Sequence, residues 1–276
     1  MFPKYILTDK QISGIANIVL HEQGTVSGWY AEASQIANRT DIKGDEYATG
    51  KRVVDVVTSG WYAKGKSRYL DGTKNEIVMQ IVKNVFCKGL RTLPRYIDEH
   101  DCTSDIVSAK NGDKSVRNAK SKWIRHQTKI RNRMGASYTF YDFPGGYKTG
   151  VDPFGYTPTA FKTRAKYGDF CIPVEKAILL SKSIDVPATL NLDNLPDRGY
   201  FKNGDGANTH KSFVGQIMNV QIFLGLKGFY NGAVDGMYGP KTKAAVENFQ
   251  NKNELDVNGC FGKKCLSVIK NMKNII

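Results

Sequence analysis

Residues 234–241 read VDGMYGPK, and residues 257–264 repeat the pattern as VNGCFGKK. In each copy an Asp or Asn, which tolerates left-handed backbone, precedes a Gly, which permits it, and this pair is typical of a tight turn. An aromatic residue follows, then a second Gly and residues suited to a helix start. Pro240 fits a first helical position because its missing N–H is not needed there. The repeat therefore predicts two helices that begin in the same way.

A further helix is predicted just before the first copy. Five of its residues recur at the spacing of one helix face: Val214, Ile217, Val220, Gln221 and Leu224. Ser212 is the candidate N-cap, and Gly228 and the Asn231-Gly232 turn provide the stop. In the helix that begins at Pro240, the residues expected to face a core are Ala244, Ala245, Val246 and Phe249. We expect a small bundle of three helices over residues 196–276, entered by a turn-rich loop.

The same region carries a longer motif. It comprises Gly204-Asp205, Val220-Gln221-x-x-Leu224, Gly232-x-x-Asp235-Gly236-x-Tyr238-Gly239-x-x-Thr242-x-x-Ala245-Val246-x-x-Phe249-Gln250 and Asn258-Gly259-x-Phe261-Gly262. In these residues the stretch 196–276 resembles the type 1 peptidoglycan-binding domain. The resemblance implies that bacterial peptidoglycan is a partner of the chain. We expect four of these residues to stabilise the turns and the core and not to contact a ligand: Asp235, Gly236, Gly239 and Phe249. For ligand contact we consider exposed aromatic residues such as Tyr230 and Tyr238.

Near the N-terminus, Thr8 and Gln11 have the form of a capping box. Ile12, Ile15, Ala16 and Val19 follow on one face of a helix that is predicted to end before Gly24. Glu22 continues this apolar series in the last turn, so we expect it to point inward. Burial and the negative end of the helix dipole both disfavour an ionised carboxyl group. A carboxyl that stays protonated suits a general acid. The alternative is a glutamate that caps the helix or pairs with Arg39.

A second helix is predicted to lead to Asn38-Arg39. The motifs in order are Ile15-Ala16-x-x-Val19-x-x-Glu22-x-Gly24, Ala33-x-x-Ile36-x-Asn38-Arg39, Val54-x-x-Val57 and Gly135-Ala136-x-x-x-Phe140-Tyr141. Over most of residues 8–145 they resemble the SleB-like cell-wall hydrolases, which are similar in fold to lysozyme-like lytic transglycosylases. The resemblance implies that Glu22 is the catalytic acid. It also makes Trp61, Tyr138 and Tyr141 candidates to contact sugar rings, since aromatic faces suit the C–H faces of pyranoses.

Two glycan-cleaving reactions remain open for Glu22. A lytic transglycosylase needs a single glutamate, which the resemblance favours. A muramidase-type hydrolase needs a second carboxylate about 5–9.5 Å away, and the available residues are Glu32, Asp41, Asp45, Glu46 and Asp55. An amidase or peptidase is a further alternative, although Glu99-His100-Asp101-Cys102 fits no zinc motif. The last alternative is a wall-binding protein without enzymatic activity. We expect no metal and no cofactor.

Composition sets the remaining expectations. The net charge is +14, and basic residues crowd the stretch 110–133. They suit anionic wall polymers, since no nucleic-acid-binding motif accompanies them. We expect neither a secretory signal nor a membrane-spanning segment, so the protein would be made in the host cytoplasm and released through a holin. The arrangement looks like a phage or prophage endolysin, with a bacterial autolysin as runner-up. We predict a mainly α chain, with a lysozyme-like catalytic domain at 1–160, a linker or extension at 161–195 and the binding domain at 196–276.

Overall fold

The computed structural model describes residues 2, 4–41, 73–93, 99–102, 138–141, 172–173, 190–206 and 211–273. The chain divides into two compact units. The larger unit comprises Met1–Gln23, Ser27–Leu70 and Val78–Ile178, and the smaller comprises Gly24–Val26, Asp71–Ile77 and Leu179–Ile276. Within the described ranges, no helix combines the length and the apolar character needed to cross a membrane.

Helix α1 spans Asp9–Glu22 in the larger unit. Thr8 is its N-cap, and the reciprocal hydrogen bonds with Gln11 form the predicted capping box. Ile12, Ile15, Ala16, Ile18 and Val19 are buried. The helix ends at Glu22, and Gln23 takes extended backbone as the C-cap. Both predicted ends of this helix, and its buried face, are confirmed.

Helix α2 spans Val26–Asp41 and includes Asn38 and Arg39, to which a second helix was predicted to lead. Every residue from 26 to 40 is buried, including polar side chains around the whole circumference. Helix α3 spans Thr73–Val82 and continues into a π-helical turn, Lys83–Cys87. A helix buried on all faces normally consists of apolar residues, so α2 needs internal partners for its polar groups.

Three strands form an antiparallel sheet in the larger unit: β1 (Glu99–Cys102), β2 (Tyr138–Tyr141) and β3 (Ile172–Pro173). The order is β1-β2-β3, with Glu99 opposite Tyr141 and Phe140 opposite Ile172. The sequence does not predict these strands. The segment 161–195 thus contributes β3 to this sheet, while Leu190 and Leu192 are buried in the smaller unit.

The smaller unit contains the three predicted helices, α4 (Val214–Leu226), α5 (Pro240–Lys252) and α6 (Lys263–Lys273). Strands β4 (Tyr200–Phe201) and β5 (Phe261–Gly262) form an antiparallel pair. Phe249 lies at the centre of the core, edge-on to Phe223 at 5.7 Å and to Phe229 at 5.5 Å between ring centroids. Pro240 occupies the start of α5 as predicted.

Two predictions about the helices of this unit are wrong. A 3-10 turn, Lys211–Phe213, precedes α4, and the N-cap position is Phe213, so Ser212 does not cap the helix. Ala244 is exposed, because the buried face of α5 passes through Ala245, Val246 and Phe249 instead. The prediction of a mainly helical chain ending in a small helical domain is confirmed for the residues that the structure describes.

Candidate functional site

Gln221 joins α4 to the turn that begins α5. Its side-chain oxygen accepts hydrogen bonds from the backbone N–H groups of Asp235 (3.1 Å) and Gly236 (2.9 Å). Its Nε2 donates to Asp235 Oδ1 (2.8 Å) and to the Met237 carbonyl (3.0 Å). Asp235 Oδ1 also accepts from the Met237 N–H at 2.9 Å. Gln221 is fully buried, so this side chain satisfies the inward-facing backbone groups of the turn, including the N–H of the buried Gly236.

Gln250 repeats this arrangement between α5 and α6. Its side-chain oxygen accepts from the N–H groups of Asn258 (3.0 Å) and Gly259 (2.9 Å). Its Nε2 donates to Asn258 Oδ1 and to the Cys260 carbonyl, both at 2.9 Å. Asn258 Oδ1 accepts from the Cys260 N–H, again at 2.9 Å. The sequence repeat is therefore a repeat of hydrogen bonding, and the glutamines that organise it are buried.

The equivalence extends to the first turns of α5 and α6. Thr242 Oγ1 lies 3.2 Å from Gln221 Nε2 and donates to the Met237 carbonyl. Cys265 Sγ takes the same position, 3.8 Å from both Gln250 Nε2 and the Cys260 carbonyl. Burial raises the pKa of the Cys265 thiol. These contacts confirm that Asp235 and Gly236 are structural. The glutamines were visible in the sequence as residues that recur before each turn.

Tyr230 and Tyr238 were expected to be exposed, and this expectation is wrong. Their exposed fractions are 7% and 1%. The Tyr238 hydroxyl donates to the Gly259 carbonyl at 3.0 Å, and the Tyr230 hydroxyl donates to the Ala233 carbonyl at 2.7 Å. Desolvation by burial raises the pKa of both phenols. Each ring is a core residue whose polar end is satisfied internally, so neither offers a face to a ligand.

Residues 198–206, which we call the clasp, cross the entrances of both repeats. Tyr200 and Phe201 pair with Gly262 and Phe261, and Gly206 forms a bridge with Met237. Within the clasp, Arg198 forms an ion pair with the buried carboxylate of Asp205. The Asp205 carboxylate also accepts from the Lys202 N–H at 2.8 Å. The clasp thereby holds the two repeats together from one side.

Beside the clasp lies a groove of about 480 Å³, which we call the clasp groove. Its lining combines the turn before β4 with the second repeat: Asp197, Arg198, Gly199, Tyr200, Gln250, Leu255, Asp256, Asn258, Cys260, Gly262, Lys263, Lys264 and Cys265. Tyr200 is 37% exposed, and the Arg198 guanidinium carbon lies 5.3 Å from the centre of its ring. Asp256 and Lys264 form an exposed ion pair, which lowers the pKa of the carboxyl and raises that of the amine.

Part of the smaller unit matches a known protein family. Residues 215–269 match the family described as "Putative peptidoglycan binding domain". We refer to residues 190–273 as the peptidoglycan-binding domain, since the matched helices and the clasp fold together. Neither the curated proteins nor the solved structures gave a significant match. Residues 215–269 therefore form a peptidoglycan-binding module, which points to an association of the chain with the bacterial cell wall.

Glu22 lies in the larger unit, outside the peptidoglycan-binding domain. It is the last residue of α1, as predicted, and it is half-buried and engaged in at least one interaction within the chain. The Trp29 indole N–H donates to the carbonyl of the neighbouring Gln23 at 2.8 Å, which ties the end of α1 to α2. Among the described residues, the buried Nε2 atoms of His21 and Gln23 on either side of Glu22 have no hydrogen-bond partner.

The polar residues of α2 are held by the segment that follows α3. Arg91 Nη1 donates to Asn38 Oδ1 at 2.9 Å, and the Thr92 N–H donates to Ser34 Oγ at 3.0 Å. Asn84, in the π-helical turn, donates to the Tyr30 hydroxyl at 3.1 Å. These contacts fix α2 against the π-helical turn and the segment that follows it.

The carboxylate of Glu32, also on α2, is fully buried. Other candidates lie beyond what the structure describes. Trp61 falls outside the described residues, as do Asp45, Glu46 and Asp55 and the basic stretch 110–133. Tyr138 and Tyr141 stand at the two ends of β2, where only their backbone pairing is defined. Their predicted roles in sugar binding stay predictions, as does the catalytic role of Glu22.

Proposed function

We propose that the protein is a cell-wall lytic enzyme that cleaves the glycan strand of peptidoglycan between N-acetylmuramic acid and N-acetylglucosamine, with Glu22 as its general acid and base. The observation that carries the proposal is the surroundings of Glu22 in a chain that binds peptidoglycan. A half-buried carboxyl ends α1, and the buried nitrogens of His21 and Gln23 beside it lack partners among the described residues. Buried polar atoms without partners cost about 1–3 kcal/mol each, and ligand contacts are one reason for such groups to persist.

The chemistry follows from one carboxyl group. Glu22 donates its proton to the oxygen between the two sugars as the bond to muramic C1 breaks. The resulting carboxylate then accepts the proton of the muramic C6 hydroxyl, whose oxygen attacks C1 and closes a 1,6-anhydro ring. The proton balance is restored and no water is consumed. We therefore propose a lytic transglycosylase.

The burial of Glu32 removes one of the five candidates for the second carboxylate of a hydrolase. A hydrolase positions a second carboxylate where it reaches a water molecule or the sugar itself. Glu32 has no exposed surface, so it does not meet this requirement. The side chains of the other four candidates, Asp41, Asp45, Glu46 and Asp55, lie outside those that the structure describes. The reaction products distinguish the two routes directly.

The biological setting that we propose is host-cell lysis by a phage or prophage endolysin released through a holin. This part rests on the resemblance to SleB-like hydrolases and on the pairing of a cutting module with a wall-binding one. A tethered catalytic unit acts at high effective concentration on an insoluble substrate. Export of the protein without a holin would favour a bacterial autolysin instead.

The test is digestion of purified peptidoglycan by the full-length protein and by Glu22→Gln, with mass spectrometry of the released ends. We expect anhydromuramic ends from the parent protein and a loss of at least about 100-fold in the variant, since general acid–base catalysis contributes that much. Glu76→Gln is the matched control, because Glu76 is an exposed helical glutamate that should leave the rate unchanged.

Other products would change the assignment. Reducing ends would indicate a muramidase and require a second carboxylate. New amino termini on intact glycan would indicate an amidase or peptidase and would overturn the role of Glu22. Wall binding without any product would leave a binding protein.

A further inference from the structure

We propose that the clasp groove holds an acidic sugar–peptide unit of peptidoglycan, with a pyranose ring against Tyr200 and a carboxylate on Lys263. The inference rests on the proposed action of the chain at the cell wall. It goes further by assigning the contact to particular residues and to the carboxylated part of the polymer.

The shape of the groove suits such a unit. Its volume of about 480 Å³ lies within the range of roughly 300–1,000 Å³ that is typical of small-molecule sites. Tyr200 is one of the few large hydrophobic side chains that are exposed in the described part of the chain, with an exposed fraction of 37%. Tyr230 and Tyr238, in contrast, are enclosed in the core. Arg198 lies against the Tyr200 ring and orients it. An oriented and partly exposed ring is the geometry that packs on the C–H face of a sugar.

The charges of the groove leave one cation available. Arg198 is paired with Asp205, and Lys264 is paired with Asp256. Lys263 makes no ion pair with any described residue. Its side chain crosses the turn before β4, since a Cβ placed on Gly199 would lie 3.8 Å from Lys263 Cε. The free ammonium group and the Tyr200 ring therefore belong to the same groove.

The position of Lys263 at the start of α6 points to an anion. Helix N-termini favour negative charge and disfavour positive charge. The first turn of α6 nevertheless contains Lys263 and Lys264 and no acidic residue. The corresponding residues at the start of α5 are Pro240 and Lys241, which have a single positive charge. Lys263, which makes no ion pair with any described residue, and the helix N-terminus together favour a bound carboxylate.

Of the other polar side chains of the groove, those of Gln250 and Asn258 are already occupied, whereas the exposed carboxylate of Asp197 makes no ion pair with any described residue. Gln250 and Asn258 bond to each other and to the turn before α6. They therefore shape the floor and leave recognition to Tyr200 and Lys263. The stem peptide of peptidoglycan supplies carboxylates close to the muramic ring, so one unit can satisfy both contacts.

The experiment measures binding of full-length protein to purified sacculi that have been stripped of attached anionic polymers. All variants are made on the Glu22→Gln background, so that the substrate stays intact. We expect Tyr200→Ala to weaken binding about three- to tenfold and Tyr200→Phe to retain it, because the ring makes the contact. Lys263→Ala should weaken binding about two- to fivefold. Lys241→Ala, the matched loss of charge at the start of α5, should have no effect. Circular dichroism checks that each variant is folded.

Competition identifies the source of the anion. A soluble N-acetylmuramyl dipeptide should displace the protein, and inorganic phosphate at equal ionic strength should not. Displacement by phosphate alone would assign Lys263 to a phosphate-rich polymer and overturn the proposal. Wild-type binding by folded Tyr200→Ala and Lys263→Ala would overturn it as well, as would failure of the parent protein to bind sacculi. The glycan ends released by protein with intact Glu22 test the proposed activity separately, so either idea can fail alone.

Discussion

At the scale of single residues, Gln221 and Gln250 carry the architecture of the peptidoglycan-binding domain. Each has an amide that can accept two bonds and donate two, which matches the backbone groups of a tight turn. A buried N–H left without a partner would cost about 1–3 kcal/mol. The short side chain of Asp235 or Asn258 completes each turn from within. The two turns therefore depend on an amide side chain that comes from the preceding helix.

The repeat makes a prediction about Cys265. Thr242 fills the corresponding position in the first repeat with hydroxyl bonds of 3.2 Å, whereas the sulfur contacts of Cys265 are 3.8 Å long. We expect Cys265→Thr to hold the second turn as well as the native thiol does. Cys265→Val has the same shape without the hydroxyl, and should be about 1 kcal/mol less stable than the threonine variant. Native-state hydrogen exchange at the amides of Asn258 and Gly259 measures the difference as roughly fivefold faster exchange in the valine variant. Equal protection in the two variants would show that the hydroxyl position contributes nothing.

Residue patterns in the sequence predicted some positions and not others. The apolar series from Ile12 to Val19 predicted where α1 ends, and hence the position of Glu22 in its last turn. Such a prediction is possible because helical periodicity is a local property of the sequence. The burial of Tyr230 and Tyr238 was not predictable in this way. The backbone of Tyr238 is hydrogen-bonded to Gly204 and Asp205 of the clasp, which lies more than thirty residues earlier in the chain. Tyr200 and Lys263 were missed for the same reason, since they meet only when β4 pairs with β5.

At the scale of elements, the short pairing of β4 with β5 determines whether the clasp groove exists. Gly262 is the tight point of this pairing. A Cβ at this position would lie 3.0 Å from both the Gly199 carbonyl oxygen and Tyr200 Cβ. We expect Gly262→Ala to push the strands apart and destabilise the domain by about 1–3 kcal/mol. Thermal unfolding should show a midpoint several degrees lower.

Gly239 provides the matched control for Gly262. It precedes α5 as Gly262 precedes α6, so both substitutions share any change in helix capping. A Cβ at Gly239 would meet nothing within 4 Å. Gly239→Ala should therefore cost much less. Equal losses in the two variants would mean that capping, and not the close approach of the strands, explains the effect.

The larger unit shows which elements the sequence could not predict. Strands β1 and β2 pair across a long separation, and the four residues of β1, Glu99–Cys102, are mostly polar. Nothing local distinguishes such a segment from a loop. Helix α2 begins at Val26, well before the residues that predicted a second helix, and the burial of its polar residues was not predicted. In the structure they are buried, and Asn38 and Ser34 bond to Arg91 and Thr92 on a distant segment.

At the scale of the whole molecule, binding and the proposed cleavage belong to different units of one chain. The peptidoglycan-binding domain has its own core and its own groove, and Glu22 lies outside it. A weak binding module suffices in such a chain, because attachment to an insoluble polymer makes each later cleavage an encounter at high local concentration. Modest effects of Tyr200 and Lys263 on affinity are thus compatible with larger effects on lysis of intact walls.

The net charge of +14 predicts a second, less specific attraction, and salt should separate it from the recognition proposed for the groove. The Debye length falls from about 14 Å at 0.05 M salt to about 4 Å at 0.5 M, so long-range attraction to anionic polymers is screened over this range. We expect retention on whole bacterial walls to fall severalfold between these concentrations. Retention on walls stripped of anionic polymers should fall much less, because the contact with the Tyr200 ring does not depend on charge and the proposed contact of Lys263 contributes only about two- to fivefold. Cosedimentation of the Glu22→Gln protein with both kinds of wall measures the two dependences. An identical decline on both would assign the attraction to peptidoglycan carboxylates alone, and would leave the basic stretch 110–133 without the wall-polymer role predicted for it.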